Sequence, residues 1–73
     1  MSLKELKEKY YQQLFTFSFN ITGNEEKARE ITTQAFEKLQ QRVSKIELEL
    51  ENDMKSFLYK NVADDSLKSS RNN

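Results

Sequence analysis

The chain has 73 residues, one third of them charged and 36% hydrophobic, with 12 basic groups balancing 12 acidic ones. That size allows at most one small domain near the lower limit for a self-supporting core. The absence of cysteine and histidine removes disulfides, thiolate chemistry and the commonest metal ligand and proton shuttle. No apolar run is long enough to span a bilayer and no charged start leads into an apolar signal core, so the chain reads as cytoplasmic with no membrane partner. There is no proline, so nothing forbids long helices.

Met1-Ser2-Leu3 reads as an expression leader. From there Leu3, Leu6, Tyr10, Leu14, Phe17 and Ile21 step by three or four, which traces one face of a helix. Tyr11, Phe15 and Phe19 form a second stripe beside it. Two adjacent apolar stripes predict neighbours on more than one side of helix one.

Gly23 is the sole glycine in the chain. It suits the left-handed position that ends a helix, and Asn24 can cap the next one. Glu25 and Glu26 then fall in a first turn, where the helix dipole favours negative charge. Helix two is expected from Asn24 to about Val43, with Ala28, Ile31, Ala35, Leu39 and Val43 on its apolar face and Phe36 alongside. Thr32, Thr33, Gln34, Glu37, Lys38, Gln40 and Gln41 make up the remainder. The small Ala28 and Ala35 permit close approach of another helix.

Residues 44–53 read differently. Ile46, Leu48 and Leu50 alternate with Glu47, Glu49 and Glu51, which is strand periodicity. A lone strand has no partner, so an irregular acidic connector is expected, with Asn52 or Asp53 capping helix three. That helix carries Met54, Phe57, Leu58, Val62, Ala63 and Leu67, and the tail from Ser69 to Asn73 is expected to fray. Residues 1–23 carry a net charge of +1, residues 24–43 of 0, residues 44–53 of −3 and residues 54–73 of +2.

No catalytic centre emerges. Asp64-Asp65 and Glu25-Glu26 are the closest approaches to a paired-carboxylate site, and both read better as solvated helix faces. The chain has no phosphate-binding glycine loop and no nucleophile with a base beside it, so neither an enzyme nor a cofactor or metal site is expected. Most aromatic rings fall on the apolar stripes and read as core. Tyr59 is the exception, lying one step off the Met54–Leu58–Val62 face and next to Lys60, where an exposed ring beside a cation could stack on a base.

Taken in order, Tyr10-Tyr11-x-x-Leu14-x-x-Phe17, Ile21-Thr22-Gly23-Asn24, Ala28-x-Glu30-Ile31, Ala35-Phe36-x-Lys38-Leu39 and Phe57-Leu58-Tyr59-Lys60 form a set that resembles region 2 of the extracytoplasmic-function sigma factors of bacterial RNA polymerase. The resemblance covers roughly residues 5–65. It implies an all-α, compact three-helix domain spanning 1–73. The implied function is binding of core RNA polymerase at the clamp helices of its largest subunit, together with recognition and melting of the −10 promoter element. By position, Glu30, Thr33, Gln34, Glu37 and Lys38 would face the polymerase, whereas Lys55, Tyr59, Lys60 and Lys68 would face promoter DNA. An anti-sigma factor is a further partner that the resemblance implies.

The chain departs from the family pattern in places. Thr33-Gln34 stands where the family usually has Gln followed by an acid, and Asp64-Asp65 replaces a basic residue and Asn. The acidic connector lies where a melted strand should pass, and like charge repels phosphate. The alternative reading is a sigma-like helical interaction or oligomerisation module without promoter binding.

Overall fold

A computed structural model describes residues 3–45 and 51–71. They form three helices: α1 (Leu3–Thr22), α2 (Glu25–Lys45) and α3 (Glu51–Arg71). Each packs on both others, so the described chain is an all-α three-helix bundle. The core is assembled from one stripe per helix: Leu6, Tyr10 and Leu14 from α1; Ile31, Ala35, Phe36 and Leu39 from α2; Met54, Leu58 and Val62 from α3. These are positions three or four apart, as an apolar stripe on a helix requires. Ala28 is also fully buried. Tyr11, Phe17, Phe57 and Tyr59 close the edges of this core.

The turn between α1 and α2 forms as its residues dictate. Gly23 has φ of +66°, and its N–H donates to the Phe19 carbonyl at 2.7 Å, the single bond that closes a left-handed C-terminal cap. The Asn24 side-chain oxygen accepts from the Lys27 N–H at 3.0 Å, and the Asn24 carbonyl takes the first bond of α2 from the Ala28 N–H. Thr22 adds a fourth bond, its hydroxyl donating to the Ser18 carbonyl at 3.0 Å. A Cβ at Gly23 would meet nothing within 4 Å, so a larger residue is opposed by backbone conformation alone. Gly23→Ala is therefore expected to destabilise by about 1 kcal/mol, and Gly23→Asn by less, since Asn tolerates the left-handed region. Urea midpoints of the two variants check this; equal midpoints for both and for the parent would count against it.

Helix three differs from the sequence expectation at its start. It begins at Glu51 rather than after an Asn52 or Asp53 cap, so the irregular connector does not extend to residue 53. Two features accompany this start: Glu51 and Asp53 put negative charge in the first turn, where the dipole favours it, and Glu51 is bonded to α1. Likewise α2 continues to Lys45, two residues past Val43. The Ile46–Leu50 alternation lies outside the described residues. At the other end the helix runs through Ser69 and Ser70 to Arg71. Ser66, one turn earlier, is buried against α1. Helix α1 is described from Leu3 onward.

Three polar side chains are wholly buried: Ser18, Thr32 and Ser66. Thr32 donates to the Ala28 carbonyl one turn back at 2.7 Å. The Ser18 and Ser66 hydroxyls bond each other at 2.7 Å across the α1–α3 contact. Among the described residues no buried side-chain polar atom lacks a partner. At the far side of the bundle the Arg42 guanidinium lies 5.4 Å from the Phe57 ring centre and helps join α2 to α3.

Candidate interaction surfaces

A helix that buries residues 28, 31, 32, 35, 36 and 39 must turn residues 30, 33, 34 and 37 away from the bundle, because successive residues rotate by about 100°. Of the five side chains expected to face a polymerase, Glu30, Thr33, Gln34 and Glu37 lie together on one face of α2. With Arg29 they line a shallow, open surface depression on α2. Glu30, Gln34 and Glu37 are exposed and Thr33 is half-buried. Arg29 was not expected there; its spacing of one and four from Glu30 and Thr33 would have placed it. Its guanidinium pairs with Glu25 at 3.2 Å along the same helix.

The fifth residue, Lys38, is set apart. Its ammonium donates to the Asp65 carboxylate of α3 at 3.1 Å. Asp65 is only 24% exposed, so this pair is better shielded than a typical surface bridge. Thus one of the residues that departs from the sigma pattern, Asp65, is the one that holds Lys38 against the α2–α3 seam.

On α3 the four side chains expected to meet DNA are scattered. Lys55 lies with its ammonium 5.8 Å from the Tyr10 ring centre. Tyr59 is not the exposed ring its sequence position suggested. It is half-buried, with its ring 5.7 Å from that of Phe17 and its hydroxyl donating to the Gln13 side-chain oxygen at 3.0 Å. Being one step off the Met54–Leu58–Val62 face turned it toward α1 rather than toward water. Lys60 and Lys68 are exposed, but Asp64 stands between them at the same four-residue spacing, so that row alternates in sign. Lys55 and Lys60 are separated by about 140° around the helix. The structure therefore does not gather these groups into one basic stripe.

A polar cluster unforeseen from the sequence ties α3 to α1. Glu51 accepts from the Tyr10 hydroxyl at 2.6 Å and from the Lys9 ammonium at 3.0 Å. The Tyr10 bond, followed by that of Lys9, holds the Glu51 carboxyl below its ordinary range. The same carboxylate raises Tyr10 and Lys9 above theirs, chiefly through those hydrogen bonds. The Lys9 ammonium also lies 5.4 Å from the Tyr10 ring centre. These contacts tie the first described turn of α3 to α1.

Among the described residues no group of three or more acidic side chains could hold a metal ion, and no helix is long and apolar enough to cross a membrane. Compared with protein-family models, curated proteins and solved structures, the chain matches none.

Proposed function

We propose that this chain is a sigma region 2-like domain that docks on core RNA polymerase through the outward face of α2. The observation that carries this reading is the gathering of Glu30, Thr33, Gln34 and Glu37, the residues that the resemblance assigns to polymerase contact, around one surface depression. In this reading the largest-subunit clamp helices lie along that face, and α3, through Lys55, Tyr59, Lys60 and Lys68, assists at the −10 promoter element.

Binding to an isolated clamp-helix segment tests it. The parent chain is expected to bind at micromolar concentration, and Glu30→Lys with Glu37→Lys to weaken binding about tenfold, as charge reversal at an interface does. Lys38→Ala should change affinity little, because its ammonium is engaged by Asp65. No binding by the parent at high micromolar concentration sinks the polymerase reading.

A second reading, an interaction module without promoter binding, is favoured by the engagement of Tyr59 with Phe17 and Gln13. A ring so placed offers little face to a base. Titration with single-stranded DNA of −10-like sequence at low salt separates the two. Salt-sensitive binding with base preference refutes the second reading and supports the promoter role.

A further inference from the structure

Tyr11, Phe15 and Phe19 form a ladder along α1. Their ring centres are 6.5 and 6.4 Å apart and successive planes lie within 17° and 5° of each other. Residues four apart drift by about 40° around a helix, so the ladder runs obliquely from the core edge outward. At its inner end Tyr11 is backed by Phe36 of α2 at 6.1 Å, whereas Phe19 at the outer end is 41% exposed. A single exposed aromatic residue is ordinary, but three aligned rings make a ridge with shape.

Each end of the ridge holds a charge that could pair, a cation at one and an acid at the other, beside Glu8 and Lys27 of opposite sign. At one end the Lys7 ammonium sits 6.0 Å over the Tyr11 ring. At the other, just past the Gly23 turn, Glu25 and Glu26 occupy the first turn of α2. Among the described residues neither Lys7 nor Glu26 takes part in an ion pair. An apolar ridge with a cation at one end and an acid at the other is complementary to itself after a half-turn, the condition for an isologous contact. A ligand of one charge sign, such as nucleic acid, would be attracted at one end and repelled at the other.

We propose that this face pairs two copies of the chain, with their α1 helices antiparallel and the two-fold axis passing near Phe15. Tyr11 then lies over the partner's Phe19, and Lys7 lies within reach of the partner's Glu26. Glu8 falls opposite the partner's Thr22 and meets no like charge. Symmetry makes each of these contacts twice. The outward face of α2 is a separate surface, so this pairing stands independently of the polymerase reading.

Sedimentation equilibrium of the intact chain at low salt tests the pairing. A monomer–dimer equilibrium is expected between about 10 µM and about 1 mM, the range for a small interface. Phe19→Ser should weaken association about tenfold or more without loss of helix, since Phe19 packs outside the core. Lys7→Glu and Glu26→Lys should each weaken it several-fold, and the two combined should restore it, because the pair is then reversed rather than broken. A monomer at every concentration overturns the proposal. So does a dimer indifferent to Phe19→Ser, or a combined charge reversal that fails to recover association.

Discussion

Leu58→Ala is expected to abolish the cooperative thermal transition of this chain. Leu58 is completely buried on α3, in a core to which all three helices contribute. Replacing such a residue removes its transfer free energy and leaves a cavity that the neighbours fill only partly, at a cost of about 2–5 kcal/mol. A single core in a chain of this length supplies roughly 3–5 kcal/mol of net stability. Loss and reserve are thus of the same size, and the folded state should no longer dominate at room temperature. Most helical stability in proteins comes from tertiary packing of an amphipathic face, so far-UV circular dichroism should show most helical signal lost with the packing. Leu67→Ala is the control: same residue type, same helix, 47% exposed, with an expected change within about 0.5 kcal/mol. If Leu58→Ala melts at the temperature of Leu67→Ala, the burial assigned to α3 is wrong.

The same packing explains which parts of the fold could be read from the sequence. Stripes at three- and four-residue spacing placed Leu6, Tyr10, Leu14, Ile31, Ala35, Leu39, Met54, Leu58 and Val62, because only one side of each helix can face two neighbours at once. Gly23 and Asn24 were legible because their conformational and capping preferences are strong and local. The start of α3 was not. There the alternation of apolar and acidic residues ran on into Glu51, whereas in the structure Glu51 is helical and its carboxylate is bonded to Lys9 and Tyr10, more than 40 residues away in sequence. Hydrophobic patterning contains no term for such a distant polar anchor.

The candidate surfaces were legible to a similar depth. Residues 30, 33, 34 and 37 had to share a face once the buried side of α2 was known. That Lys38 would leave this group could not be foreseen, since it depends on how closely α3 approaches and on Asp65 standing opposite. Tyr59 shows the converse. One step off the apolar face means exposure for a lone helix, but in a bundle it means the flank that a third helix covers, here α1 through Phe17 and Gln13.

Ser18 and Ser66 were missed because small hydroxyl side chains count as polar in any pattern. Their spacing held the signal: Ser18 is four residues after Leu14, and Ser66 four after Val62, so both continue a buried stripe. Their shared hydrogen bond at 2.7 Å makes a second strong prediction. Ser18→Ala or Ser66→Ala alone strands one hydroxyl in the dry α1–α3 contact, at a cost of about 1–3 kcal/mol. Each stranded hydroxyl has one local escape, donation to the carbonyl four residues earlier, as Thr32 already does, and this sets the cost toward the lower end. Removing both hydroxyls strands neither, since apolar groups then meet apolar groups. The double variant should therefore lose clearly less than the sum of the single losses, with a coupling of about 1 kcal/mol in a double-mutant cycle read by urea unfolding. Strictly additive losses would mean that the two serines do not bond each other in solution. A coupled pair would instead establish that α1 and α3 are held in register by a polar contact that favours one alignment, whereas the surrounding leucines would tolerate others.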